Sequence, residues 1–171
     1  MDPDGQAVLA FLEAIQSAQD TLKRLTWDDK RVEPLMPVMP NGTRRPLVAG
    51  GQVRFSGLGG LASGGKSGEV VISAYVNLRK VEAFYGDDRV EDLEWRISLS
   101  WSGQAFLIDT RIVAYTTCKY QNETDLLHFP DRSSSTLEEC LYQLAQVASE
   151  LAEERAIVYS LLKQDPPASS S

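Results

Sequence analysis

Residues 92–117 read DLEWRISLSWSGQAFLIDTRIVAYTT, and this stretch decides the fold. On both sides of Ser102-Gly103, large apolar residues alternate with polar ones, the period-two signature of half-buried strands. Ser102-Gly103 reads as a two-residue hairpin turn, with glycine supplying the positive φ such a turn requires. Facing Trp101 with Gln104 sets Leu99 opposite Phe106, Ile97 opposite Ile108, Trp95 opposite Thr110 and Leu93 opposite Ile112. The same register sets Arg96 opposite Asp109 and Glu94 opposite Arg111, pairs each favourable by a few tenths of a kcal/mol. A slip of one residue would carry every apolar side chain to the wrong face. The stretch therefore predicts two antiparallel strands with one apolar face and one charged face.

Upstream, Val70, Ile72, Ala74, Val76 and Leu78 alternate with Val71, Ser73, Tyr75, Asn77 and Arg79, predicting a strand from Glu69 to about Val81. A strand from about Leu47 to Ser56 precedes it, joined through the glycine-rich turn region Gly57 to Gly68. Pro34, Pro37, Pro40 and Pro46 break regular structure before that. Their two PxxP matches enclose Leu35, Met36, Val38 and Met39, so an apolar loop across the core edge is expected rather than a polyproline ligand. The first segment predicts a helix from Pro3 to Leu25, with Asp2 as its cap and Pro3 at the first helical position. Val8, Phe11, Leu12, Ile15, Ala18, Leu22 and Leu25 form its apolar stripe, and Trp27 seals its end.

Downstream, a short strand is expected around Leu126–Phe129. Ser135-Thr136-Leu137-Glu138 then reads as a capping box, Ser135 accepting from the third helical N–H. The helix it opens runs to Gln164, because Asp165-Pro166-Pro167 cannot continue it. Leu137, Leu141, Leu144, Ala148, Leu151, Arg155, Val158 and Leu162 follow alternating spacings of four and three, an apolar seam that only Arg155 breaks. Such a helix is roughly 43 Å long, against about 33 Å for a ten-residue strand, so part of the seam overhangs the sheet. The elements sum to an α+β fold: an N-terminal helix, an antiparallel sheet of four or more strands built from hairpins, and a long C-terminal helix, with both helices packed on one face. Residues 1–165 are expected as a single domain and 166–171 as a disordered tail.

Composition excludes several functions. The chain has 171 residues, 43% of them hydrophobic, and 24 acids against 17 bases give a net charge of −7. That balance disfavours nucleic acid and anionic membrane as partners. No stretch approaches the roughly 20 apolar residues of a membrane span. Met1-Asp2-Pro3-Asp4 is acidic where a signal peptide is basic. Cys118 and Cys140 have no ligand spacing, which fits free thiols in a reducing compartment, so a cytoplasmic protein is expected. The charge is uneven: residues 1–50 carry −1, residues 51–120 are neutral and residues 121–171 carry −6.

One motif stands out. Gly60-Leu61-Ala62-Ser63-Gly64-Gly65-Lys66-Ser67 matches the phosphate-binding pattern G-x-x-x-x-G-K-[ST], in which backbone N–H groups wrap phosphate oxygens, the lysine reaches the terminal phosphates and the serine holds magnesium. Here, however, Gly68-Glu69-Val70-Val71-Ile72 predicts a strand where the motif needs a helix N-terminus. His128 is the single histidine, beside Leu126, Leu127 and Phe129, and reads as a structural residue rather than a base or ligand. Asp87-Asp88, after Phe84-Tyr85-Gly86, reads as a turn before it reads as a cation site. No catalytic residue, metal or cofactor is expected.

The favoured expectation is a non-enzymatic protein-binding module, adaptor- or chaperone-like, acting through its acidic C-terminal helix and sheet surface on another protein or on a second copy. Interface candidates are Leu137, Leu141, Leu144, Leu151, Arg155, Val158 and Leu162, and acidic docking candidates are Glu150, Glu153 and Glu154. Packing of the same seam on the sheet is the competing use of those residues. One alternative is nucleotide or phosphate binding at 57–68 through Gly60, Gly65, Lys66 and Ser67. Another is a small-molecule site between sheet and helix, lined by Trp95, Trp101, Tyr75 and Tyr115.

Overall fold

A computed structural model describes residues 3–26, 40–42, 48–57, 67–79, 83–116, 122–153 and 162. Helix α1 (Pro3–Thr26) comes first and helix α2 (Leu137–Glu153) last. Between them lie β1 (Val48–Ser56), β2 (Gly68–Asn77), β3 (Phe84–Tyr85), β4 (Asp88–Trp101), β5 (Phe106–Thr116), β6 (Asn122–His128) and β7 (Arg132–Ser134). The seven strands form one antiparallel sheet in the order β1-β2-β4-β5-β6, with β3 beside β4 and β7 beside β5. The fold is α+β, as the alternation and capping signals predict.

The central strand β4 sorts the molecule into two faces. Leu93, Trp95, Ile97 and Leu99 are wholly buried and Trp101 nearly so. Val70, Ile72, Ala74 and Val76 of β2 flank them on one side, Ile108, Ile112 and Ala114 of β5 on the other. Both helices close over this face. Helix α1 lies on β2 and β1 and alongside α2, which lies on β5, β7 and β4. From α1 the buried residues are Phe11, Ile15, Ala18 and Leu22, at helical spacing. Leu12 was expected in this stripe but is 37% exposed, because the strip covered by sheet and α2 is narrower than the apolar arc of α1. From α2, Cys140, Leu144, Val147, Ala148 and Leu151 are buried, and Leu137 and Leu141 are half-buried against the same core.

The β4–β5 hairpin differs from expectation in register. Trp101 pairs with Phe106, Leu99 with Ile108, Ile97 with Thr110 and Trp95 with Ile112. Residues 102–105 form a four-residue loop in place of a two-residue turn: the Ser102 N–H donates to the Ala105 carbonyl at 3.0 Å, and Ser102 Oγ accepts from the N–H groups of Gln104 and Ala105. Gly103 is not among the glycines with positive φ. The hydroxyl of Ser102 satisfies two loop donors, so Gln104 and Ala105 stay exposed and out of the ladder. The displacement is by two residues, so each side chain keeps its face while its cross-strand partner changes.

Other boundaries move for local reasons. β2 ends at Asn77 rather than Val81, where Asn77 Oδ1 accepts the Arg79 N–H at 2.9 Å and turns the chain. The N-cap of α2 is Thr136, one residue beyond the expected Ser135, with Thr136 Oγ1 accepting the Glu139 N–H at 3.2 Å. Thr136-Leu137-Glu138-Glu139 satisfies the same capping pattern. Strand β6 is longer than expected, and β7 was not anticipated. Gly86-Asp87 forms the two-residue β3–β4 turn, with φ of 62° at Gly86, so Asp87 takes the turn as expected while Asp88 opens β4 opposite Tyr85. The proline-rich segment up to Met39, Trp27, residues 154–161 and the tail 166–171 lie outside the described residues. No helix among the described residues is long and apolar enough to cross a membrane.

Gly68 opens β2 directly beneath the ring of Trp101, where an added Cβ would stand 2.1 Å from Cζ2. Trp101 is held there by an edge-to-face contact with Phe11, centroids 5.8 Å apart. Gly68→Ala is therefore expected to destabilise the fold by about 1–3 kcal/mol, measured as a lowered urea midpoint. An unchanged midpoint would show that the Trp101 ring moves aside freely.

Candidate functional site

The face of the sheet turned away from both helices carries the even-numbered residues of β4 from Asp92 onward and the odd-numbered residues of β2 and β5. Reading across the ladders, one row runs Gln52, Ser73, Arg96, Arg111, His128, and the next Arg54, Val71, Ser98, Asp109. On the other side of the Arg96 row lie Gly50, Tyr75, Glu94, Val113 and Asp125. No described helix covers these rows.

Arg96 and Arg111 are direct cross-strand neighbours, a pairing of like charges that would be unfavourable alone. Each has a carboxylate two residues away on its own strand and face. The Arg96 guanidinium donates to Glu94 Oε1, to the Tyr115 hydroxyl at 2.9 Å and to Glu123 Oε1 at 3.2 Å. Tyr115 in turn donates to Glu94 Oε1 at 3.2 Å. The Arg111 guanidinium donates to both oxygens of Asp109 and to Asp125 Oδ2 at 3.1 Å. The expected pairs Arg96–Asp109 and Glu94–Arg111 are thus replaced by Arg96–Glu94 and Arg111–Asp109, with β6 supplying a second carboxylate to each arginine. Partial burial opposes the charge on Arg96, but the Glu94 carboxylate outweighs it and holds the guanidinium above its ordinary pKa. Burial first, and then the Glu94 charge, pushes the Tyr115 phenol up to about 12.

Beside this network an open groove of about 440 Å³ runs over β1, β2 and β4, lined by Arg54, Phe55, Ser56, Glu69, Val71, Arg96, Ser98 and Glu123. Its lining mixes charge with aliphatic and aromatic surface and shows no nucleophile poised beside a base. Phe55 is 44% exposed, its side chain on the helix side of β1 opposite Val70. Tyr75 lies across the backbone of Gly50, where a Cβ would come within 2.3 Å of the ring. At the far end of the face, Asp109, His128 and Asp131 bring three metal-ligating side chains together, with ligand atoms within 4.8 Å of one another.

The residues singled out from the sequence fall in several places. Leu144 and Leu151 are wholly buried inside the chain, Leu162 is 7% exposed, and Arg155 and Val158 lie outside the described residues. Over its described turns, then, the seam packs on the sheet and α1. Glu150 is bound by Arg132, Glu153 is exposed, and Glu154 lies outside the described residues. Gly60, Gly65 and Lys66 also lie outside them, whereas Ser67 is exposed and leads into a strand. Trp95 and Trp101 belong to the buried face and Tyr75 and Tyr115 to the opposite one, so these four do not line one cavity. Cys140 is buried, and burial raises its thiol to about 11, which suits an inert packing residue. The Asp109–His128–Asp131 group was not anticipated, because its members are spread over strand and loop with no recognisable ligand spacing.

The chain matches no protein-family model, no curated protein and no solved structure.

Tyr115 gives a pH test. Unfolded, its phenol ionises near 10.0, whereas in the fold it holds its proton to about 12. Between those values the native state binds more protons than the unfolded one, so stability falls as pH rises. Cys140 acts in the same sense from 9.0 to about 11. The urea midpoint is expected to decline above about pH 9, and Tyr115→Phe to flatten the decline above pH 10 while costing about 1 kcal/mol at neutral pH. An identical pH profile in Tyr115→Phe would contradict this assignment.

Proposed function

We propose that the chain is a non-enzymatic protein-binding module that receives its partner on the sheet face turned away from both helices. The observation that carries this reading is the placement of both helices on one face, which leaves the other with ion pairs and a groove among the described residues. Five main strands of about ten residues present roughly 800 Å² in projection, about what one partner contributes to a standard interface. Alternating arginines and carboxylates held in fixed pairs favour specificity, since a partner with the wrong charge pattern must desolvate them without compensation. Tyr75 supplies exposed aromatic surface of the kind that anchors interfaces.

The sheet face is preferred to α2 because the described seam of that helix is buried and Glu150 is engaged by Arg132. Binding of phosphate at 57–68 gains no support from Ser67, which enters a strand.

Affinity capture from the native host would test the reading, with Arg54→Glu altering the groove and Gln16→Glu/Asp20→Lys altering the exposed side of α1. The groove variant is expected to lose the captured protein while the α1 variant keeps it, both retaining the circular dichroism of the parent. Capture that survives the groove change and fails with the α1 change would place the interface on the helix layer instead.

A further inference from the structure

The end of β6 contains a bulge that turns both Leu126 and Leu127 onto the core. Asp125 pairs with Val113 and Leu127 with Ile112, so Leu126 is an extra residue in the ladder. Residues three apart in a regular strand face opposite ways. This bulge reverses that, placing Asp125 and His128 on the same face, with His128 opposite Arg111. Beyond it, the Phe129 N–H donates to the Thr110 carbonyl at 3.1 Å and holds the strand end in place. Without the bulge, His128 would point toward the helices. With it, the single histidine of the chain stands beside Asp109 of β5 and Asp131 of the following loop.

His128 Nε2 and Asp109 Oδ1 share a hydrogen bond at 3.0 Å, which a bound ion would replace, and Nε2 lies 3.8 Å from Asp131 Oδ1. Ligands about 2.1 Å from a tetrahedral zinc ion stand roughly 3.4 Å from one another, and the two observed separations bracket that spacing. All three side chains are partly exposed, so an ion can enter and keep water in its remaining positions. The charge also suits a divalent cation: Asp109, Asp125 and Asp131 against Arg111 leave −2 with a neutral imidazole. Arg111 grips Asp109 chiefly through Oδ2, at 2.8 Å from Nη2. A carboxylate has about four lone-pair positions, so Oδ1 can ligate while Arg111 orients the group, the usual part of an outer partner at a metal site.

We propose that Asp109, His128 and Asp131 bind a divalent transition-metal ion of the zinc class. One imidazole with two carboxylates suits zinc, nickel, cobalt or manganese, and calcium, which prefers six to eight oxygens, is disfavoured. The site stands at the margin of the proposed docking face but does not depend on a partner binding there.

Calorimetric titration of the full chain with Zn²⁺, and with Co²⁺ read by its visible absorption, tests the assignment. One ion per chain is expected, with Ca²⁺ giving no signal. His128→Gln and Asp131→Asn should each weaken binding by about 100-fold or more, since loss of even an outer partner costs 10–100-fold. Both residues are exposed, so the variants should keep the parent's metal-free melting temperature and remain readable. Absence of binding at millimolar Zn²⁺ overturns the proposal. So does binding that both variants leave unchanged, which would put the ion elsewhere in the chain.

Discussion

Leu93, Trp95, Ile97, Leu99 and Trp101 of β4 form the row on which the rest of the structure depends. Their burial beneath α1 and α2 removes the largest apolar side chains of the sheet from water, each worth about 1.5–3 kcal/mol or more. A strand that buries one set of alternate residues must present the other set on the opposite side. Glu94, Arg96 and Ser98 are therefore on the opposite face because Trp95 and Ile97 are in the core. The polar network is a consequence of the apolar row, held in position by a backbone that the core does not allow to slip.

That constraint explains how a direct Arg96–Arg111 pairing persists. Apolar burial excludes slips of one residue, which would strand tryptophan in water, and the four-residue loop held by Ser102 selects the pairing among the rest. Charges on the open side then arrange themselves within that register. Glu94 and Asp109 reach along their own strands, and β6 adds Glu123 and Asp125. The result is a surface of fixed ion pairs, individually weak where exposed but patterned, and a pattern is what recognition requires. The bulge at Leu126 extends this surface by one further group, His128, at the cost of one unpaired ladder position.

Much of the fold was legible because it rests on local periodicity. The stripe Phe11, Ile15, Ala18 and Leu22, the alternation of Val70, Ile72, Ala74 and Val76, and a threonine or serine followed three residues later by glutamate each carry their own structural meaning. The misplaced details are those where two local solutions lie close in energy. Ser102 can open a two-residue turn or hold a four-residue loop with its hydroxyl, and Ser135 and Thr136 both satisfy the capping pattern. The candidate site was less legible. Groove residues such as Arg54 and Glu69 come from neighbouring strands joined through a long connection, and their proximity leaves no spacing to recognise.

By itself, the sequence determined the element types, the antiparallel sheet and the core-facing side chains of the regular strands and of α1 apart from Leu12, because hydrophobic alternation and helical spacing are properties of neighbouring residues. It also determined that Ser67-Gly68 enters a strand, because β-branched residues follow. Only the tertiary structure decided the pairing register, the partners of Arg96 and Arg111, and the intramolecular packing of the described α2 seam. The meeting of Asp109, His128 and Asp131 likewise required the folded chain. Those outcomes depend on which strands become neighbours and where one extra residue interrupts a ladder, and both are settled by the packing of the whole sheet against its helices.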